Sequence, residues 1–115
     1  MQSIGLIGTG YWGSNYVRIF NEIDECELKW CADLDKRRAE QAVKGYPHIK
    51  TTTNTQQLLR DPDLDGVCIS TPPETHHQLS TSFLENGVDV LIEKPLATTT
   101  ESAWDIVSTA DAEGQ

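Results

Sequence analysis

Four short, largely apolar runs and a weaker one at residues 49–52 alternate with longer amphipathic segments along this chain of 115 residues. The runs predict β-strands over residues 3–7, 27–32, 49–52, 66–70 and 88–92. The last run is apolar apart from Asp89, which is typical of a strand buried on both faces of a sheet. Strands that alternate with helices predict a parallel sheet covered on both faces. The pattern therefore indicates an α/β fold with a doubly wound, three-layer sheet of five strands.

The segments between the strands carry the spacing and end signals of helices. We expect helices over residues 11–23, 35–44, 54–59 and 74–85. The apolar stripe of the first helix is formed by Trp12, Tyr16, Phe20 and Ile23. After the last strand, Thr98-x-x-Glu101 is a capping box that opens a final helix reaching about residue 112.

The most specific motif follows the first strand. Gly8, Gly10 and Gly13 form Gly-x-Gly-x-x-Gly between a strand and a helix, and Asp33 ends the second strand about twenty residues later. The first glycine permits the tight turn, the second lets a pyrophosphate approach the backbone, and the third lets helix and strand pack closely. The helix N-terminus offers free N–H groups to the phosphates. This arrangement predicts a Rossmann dinucleotide-binding site, whose loop also includes Thr9, Tyr11 and Trp12.

Asp33 indicates which dinucleotide is bound. A carboxylate at the end of the second strand accepts hydrogen bonds from the adenosine ribose hydroxyls and repels a 2′-phosphate, which favours NAD over NADP. The opposite choice has some support from Lys36, Arg37 and Arg38, which begin the next helix and could attract a phosphate. A solvated helix face is the simpler interpretation of these three cations.

Two further loops end at the carboxyl edge of the predicted sheet, where open α/β sheets bind ligands. After the fourth strand we expect Ser70, Thr71 and Pro72 to contact the cofactor, because of their position; a rigid strand-to-helix turn is the alternative. In the helix that follows, we expect His76 to line the cofactor cleft. Its neighbour His77 should face solvent.

Glu93 and Lys94 follow the fifth strand and precede Pro95 at the same edge. A lysine at the mouth of a partly desolvated cleft can bind a hydroxyl oxygen and shuttle its proton. The alternative is a surface Glu–Lys pair of little energetic value. We therefore take Lys94 as the candidate catalytic residue and Glu93 as a candidate cofactor contact.

Composition excludes several other functions. The net charge is −9 and no Lys/Arg run is present, which argues against nucleic acid as a partner. No basic region with a long apolar run is present, so we expect neither a signal peptide nor a membrane span. Cys26, Cys31 and Cys68 form no Cys-x-x-Cys, which favours reduced core thiols in the cytoplasm and no metal site.

Taken together, these motifs resemble one known family over essentially the whole chain. They are Gly8-Thr9-Gly10-Tyr11-Trp12-Gly13, Asp33, Thr71-Pro72-Pro73-Glu74-Thr75-His76 and Glu93-Lys94-Pro95-Leu96-Ala97. Their order and spacing are similar to those of the glucose–fructose oxidoreductase/inositol dehydrogenase (Gfo/Idh/MocA) family. The Tyr-Trp pair after Gly10 looks most like the nucleotide-sugar 3-dehydrogenase branch.

The resemblance implies an NAD-dependent oxidoreductase that moves hydride between the nicotinamide and a hydroxyl-bearing carbon of a sugar, cyclitol or nucleotide sugar. Lys94 then matches the family lysine near the nicotinamide, Glu93 its neighbour, and His76 the histidine of the strand-four loop. We expect residues 1–115 to be the NAD(P)-binding domain of a longer protein. Its missing C-terminal domain would choose the substrate and form a homo-oligomer. A non-catalytic dinucleotide sensor on the same fold is the alternative.

Overall fold

A parallel sheet forms the middle layer of the computed structural model, which describes residues 1–10 and 12–115. Its strands are β1 (Gln2–Ile7), β2 (Cys26–Ala32), β3 (Lys50–Thr52), β4 (Gly66–Ile69) and β5 (Asp89–Ile92). The helices between and after them are α1 (Gly13–Glu22), α2 (Lys36–Ala42), α3 (Gln56–Leu59), α4 (His76–Glu85) and α5 (Thr100–Glu113). A short 3-10 turn, Pro73–Thr75, leads into α4.

The strand order is β3-β2-β1-β4-β5, and every pairing is parallel. The chain builds outwards from β1 to β3, then crosses back to place β4 on the other side of β1. That reversal opens a crevice beyond the carboxyl ends of β1 and β4, where doubly wound sheets bind ligands. The predicted fold class and its five strands are confirmed.

Two apolar cores lie on opposite faces of this sheet. Leu6 and Ile7 are neighbours in β1 and point to different faces, because successive strand residues alternate. Leu6 packs with Val17 of α1, whereas Ile7 packs with Phe83 of α4. The helices α1 and α2 therefore cover one face, and α3 and α4 cover the other.

The apolar stripe predicted for the first helix is wrong at both ends. Trp12 is 58% exposed and Ile23 is 39% exposed, while Val17, which the stripe omitted, is 1% exposed. The reason is that α1 begins at Gly13 and ends at Glu22, so both residues flank the helix. Its buried face runs through Gly13 and Val17, and Tyr16 and Phe20 pack beside it.

Other element ends also differ from the prediction. The second helix ends at Ala42 rather than at residue 44. The last helix is capped by Thr99, whose side chain accepts a hydrogen bond from the Ser102 N–H at 3.0 Å, so the predicted Thr98 capping box is one residue out of register. The fifth strand is not buried on both faces, because it lies at the sheet edge with Leu91 57% exposed.

Two of the cysteines are core residues. Cys31 and Cys68 are buried within the sheet, and burial raises the pKa of both thiols to about 12. All three cysteines of the chain are free thiols. Among the described residues no helix combines the length and apolarity needed to cross a membrane.

Candidate functional site

A cleft of about 830 Å³ lies at the carboxyl edge of the sheet. It collects the ends of β1, β2 and β4 with the start of α4, which are far apart in the sequence. Seven of the predicted cofactor-binding residues line it: Gly8, Thr9, Gly10, Asp33, Ser70, Thr71 and Pro72. Tyr11, which was also predicted, lies outside the described residues.

The space available to a Cβ differs among the three glycines of the loop. Gly8 has a φ of +94°, and a Cβ there would lie 2.6 Å from the Ser70 carbonyl oxygen, so a side chain is excluded twice. A Cβ on Gly13 would lie 2.8 Å from the Gly8 carbonyl oxygen, which confirms the close packing of helix and strand. A Cβ on Gly10 would meet no atom within 4 Å among the described residues, its chain neighbours aside. Its open side is therefore available to a ligand.

Asp33 directly follows β2, and its carboxylate accepts hydrogen bonds from both backbone and side-chain donors. Its Oδ2 accepts hydrogen bonds from the Thr9 N–H at 2.9 Å and the Thr9 hydroxyl at 2.6 Å. Its Oδ1 accepts one from the Asp35 N–H at 2.8 Å. Burial opposes ionisation, but these bonds and the Arg38 charge outweigh it and hold the pKa of the Asp33 carboxyl below its ordinary value. Asp33 therefore presents a negative charge to the cleft at neutral pH.

The three cations after Asp33 have different positions. Arg38 lines the cleft, whereas Lys36 lies 3.9 Å from Glu40 on the outer surface of α2. Arg37 is exposed and does not line the cleft. Of these three cations, only Arg38 is therefore placed to meet a ligand in the cleft.

Sequence reasoning missed the part of the cleft that follows β3. Thr53, Thr55 and Gln56 line it opposite the glycine loop. The signal was available, because β3 is parallel to β1 and its end must reach the same edge of the sheet. Residues of α4 that face the cleft, such as Gln78, have no comparable mark in the sequence.

His76 is not on the surface of the cleft, which corrects the expectation that it lines it. It is 1% exposed. Its Nδ1 lies 2.9 Å from the Pro95 carbonyl oxygen, and its Nε2 lies 2.8 Å from the Thr71 carbonyl oxygen. The imidazole therefore joins the loop after β4 to the loop after β5. His77 is also not simply solvated, since its Nε2 lies 2.6 Å from Asp105 Oδ2 in α5.

Glu93 and Lys94 lie beyond the lining of the cleft. Glu93 accepts a hydrogen bond from the Tyr16 hydroxyl of α1, and this bond, together with burial, raises the pKa of Tyr16 to about 12. Lys94 is exposed and, within residues 1–10 and 12–115, forms no ion pair; the surface Glu–Lys pair is not formed. The Lys94–Pro95 peptide bond is cis.

Trp12 stands at the N-cap position of α1, beside the glycine loop but outside the cleft lining. Its exposed indole and the open face of Gly10 belong to the same short segment. A ligand held by the loop would thus lie close to a fluorescent side chain.

The sequence matches one protein-family model over residues 2–115, that of the Gfo/Idh/MocA "Oxidoreductase family, NAD-binding Rossmann fold". Among curated proteins, Inositol 2-dehydrogenase 4 of Saccharopolyspora erythraea is 34% identical over 113 residues, covering 97% of this chain and 33% of that protein. A Glycosyl hydrolase family 109 protein of Shewanella pealeana is 33% identical over 117 residues, covering 94% and 26%.

Solved structures give the same result. Myo-inositol dehydrogenase from Lactobacillus casei, crystallised with NAD(H) and myo-inositol, superimposes with a TM-score of 0.86 at 32% identity. The match covers 95% of this chain and 33% of that one. The chain thus spans about a third or less of the length of the relatives it matches.

Proposed function

We infer that this chain, which belongs to the Gfo/Idh/MocA family of oxidoreductases as its NAD-binding Rossmann domain, is the cofactor half of a sugar or cyclitol dehydrogenase. The observation that carries the proposal is the cleft at the strand-order reversal, which is lined by the open backbone of Gly10 and by the ionised Asp33. The relatives named inositol 2-dehydrogenase supply the substrate class. A nucleotide sugar remains within that class.

The proposed cofactor is NAD rather than NADP. Gly8, Gly10 and Gly13 bring the backbone and the start of α1 to the pyrophosphate, and Ser70, Thr71 and Pro72 close the other side. Asp33 faces the adenosine ribose, where a carboxylate accepts from hydroxyls and repels a phosphate. The myo-inositol dehydrogenase relative, solved with NAD(H), supports this choice.

Lys94 is the proposed catalytic residue. It has no ion-pair partner among residues 1–10 and 12–115, and its loop is held from two sides, by Tyr16 through Glu93 and by His76 through the Pro95 carbonyl. NAD, when bound, would supply the hydride acceptor for the substrate carbon. Lys94 binds the substrate hydroxyl and takes part in moving its proton. Glu93 keeps its place as a candidate contact near the nicotinamide end.

We assign the rest of the activity to the two thirds of the relatives' length that this chain does not match. Because it spans about a third of their length, we place the substrate pocket, further acid–base residues and homo-oligomer contacts in a second domain. We place the enzyme in the cytoplasm, where the buried thiols Cys31 and Cys68 stay reduced. We expect no turnover from this chain by itself.

Two other functions are the competitors. The intact Glu93-Lys94-Pro95 loop favours an enzyme over a non-catalytic dinucleotide sensor, since a sensor has no need of an exposed lysine on a loop held in this way. The relative named as a glycosyl hydrolase makes net hydrolysis of a sugar substrate the second candidate reaction.

The first test is a parallel titration of this chain with NADH and NADPH, followed by tryptophan fluorescence. We expect saturable quenching with tighter binding of NADH, and a Trp12→Phe variant identifies how much of the signal comes from the loop. Tighter binding of NADPH would mean that Arg38 outweighs Asp33.

The catalytic assignment of Lys94 is tested in the longer enzyme. We expect Lys94→Ala to lower turnover by at least about a hundredfold, and unchanged turnover would contradict the assignment.

A further inference from the structure

We propose that Thr9 is the positioning residue that sets the preference for NAD, acting through Asp33 and not through the cofactor. The inference rests on the proposed function, because it deepens the account of the same adenosine site. Thr9 stands in the glycine loop, between Gly8 of the tight turn and Gly10, whose backbone was expected to meet the pyrophosphate. Its side chain does something else.

The Thr9 hydroxyl is committed to the carboxylate. It donates to Asp33 Oδ2 at 2.6 Å, and the Thr9 N–H donates to the same oxygen at 2.9 Å. Thr9 is only 6% exposed although it lines the cleft, and its hydroxyl and its N–H both donate to Asp33. The contact spans 24 positions and ties the loop after β1 to the end of β2.

These bonds decide how Asp33 can meet a ribose. A carboxylate has about four acceptor positions. The two Thr9 donors occupy Oδ2, and the Asp35 N–H occupies one position of Oδ1. The position left for a ribose hydroxyl is on Oδ1, in a carboxyl group that cannot rotate while Thr9 holds it.

The same bonds keep the negative charge in place. A short hydrogen bond from a hydroxyl favours the ionised carboxyl group, and it prevents the group from swinging away from a 2′-phosphate. An Asp33 released from Thr9 is free to turn towards Arg38, which lines the same cleft and whose charge already acts on it. Discrimination between the two dinucleotides would then weaken even though Asp33 is still present.

The test measures the ratio of the NADPH and NADH dissociation constants for this chain. Thr9→Val keeps the shape and the backbone N–H but removes the hydroxyl, and we expect the ratio to fall about tenfold. Thr9→Ser keeps a hydroxyl and should keep the ratio. Thr9→Ala provides a second variant without the hydroxyl if the valine variant does not fold, as judged by circular dichroism.

A double-variant cycle separates this role from a general loosening of the loop. In an Asp33→Ala background, Thr9→Val should leave the ratio unchanged, because the group through which Thr9 acts is gone. Equal weakening of both cofactors, with the ratio preserved in Thr9→Val, would overturn the proposal while leaving the NAD site intact. If Asp33→Ala itself does not change the ratio, the proposed NAD preference fails, and the role of Thr9 fails with it.

Discussion

Gly8 and Gly10 stand in one loop but are required for different properties. Gly8→Ala places a Cβ against the Ser70 backbone at a positive φ, so we expect the free energy of unfolding to fall by about 3 kcal/mol. The Cβ that Gly10→Ala adds meets no described residue beyond its chain neighbours within 4 Å, so this variant should change the free energy of unfolding by less than about 0.5 kcal/mol. Urea unfolding measures both.

The same pair separates folding from binding. We expect Gly10→Ala to weaken NADH binding, because its open side is the face offered to the pyrophosphate. Equal losses of stability in the two variants would contradict this division. Normal NADH binding by Gly10→Ala would show that the pyrophosphate lies elsewhere.

Asp61 contributes to the way in which the free energy of unfolding depends on pH. Its Oδ2 lies 2.7 Å from Lys29 Nζ and accepts a hydrogen bond from Trp30 Nε1 at 2.8 Å. Burial opposes ionisation, but these partners outweigh it and lower the pKa of Asp61 to about 2. A lowered pKa contributes stability above the ordinary value of about 4, and that stability is lost as pH falls towards 2.

We therefore expect Asp61 to contribute about 2 kcal/mol at neutral pH, since its side chain is 7% exposed. Asp61→Asn should lower the free energy of unfolding at pH 7 and flatten its fall between about pH 4 and pH 2. Denaturant unfolding across that range measures both. An unchanged slope in the variant would assign the acid sensitivity to other carboxylates, and Asp63→Asn in the same loop is the matched control.

At the residue scale, the sequence predicted what a motif specifies and missed what tertiary contacts decide. The glycines and Asp33 could be placed because their spacing reflects local requirements of a strand, a turn and a helix. The bonds of His76 to carbonyls on two loops depend on how β4 and β5 are brought together. Tyr16 bears no motif at all, and only the fold brings it to Glu93.

At the scale of elements, the cap of α5 provides the sharpest prediction. Thr99 accepts the Ser102 N–H, so Thr99→Ala should cost about 1 kcal/mol. Thr98→Ala is the matched control and should cost almost nothing, because α5 begins at Thr100. Thermal unfolding of the two variants measures the difference. A larger loss from Thr98→Ala would restore the capping box as the true start of the helix.

Element ends show why sequence patterns lose precision. Thr98, Thr99 and Thr100 offer the same cap chemistry in three adjacent registers, and only the backbone geometry selects one of them. The strands, by contrast, were placed to within about one residue, since most of them coincide with short, largely apolar runs; β3, which reads Lys-Thr-Thr, is the exception. For β5 the bounds were right but the expected burial was not. Its apolar composition is typical of a central strand, whereas among the described residues it lies at the edge of the sheet.

For the whole molecule, the free edge of β5 predicts self-association. Among the described residues β5 pairs only with β4, and Leu91 is 57% exposed beside unpaired backbone groups. Leu91→Lys should reduce concentration-dependent association measured by light scattering. Leu34→Lys removes a leucine that is 93% exposed but lies in no strand, and it should have little effect. Equal effects would assign association to apolar exposure in general.

The cleft as a whole could be predicted only in part, because its lining depends on the strand order. The cleft is assembled from strand ends that are neighbours in the sheet but distant in the sequence. Knowing the strand order would have brought Thr53, Thr55 and Gln56 into the prediction, because the carboxyl ends of parallel strands meet at one edge. Their side chains carry no motif that marks them without that order.

The segment from Glu93 to Pro95 is held by both outer layers of the fold. Tyr16 reaches it from α1 on one face of the sheet, and His76 reaches it from α4 on the other. At the carboxyl edge this segment therefore connects two helix layers that the sheet separates elsewhere. A shift of either helix against the sheet must pull on the backbone that carries Lys94. The Lys94 side chain is exposed, but the position of its backbone depends on how both helix layers pack against the sheet.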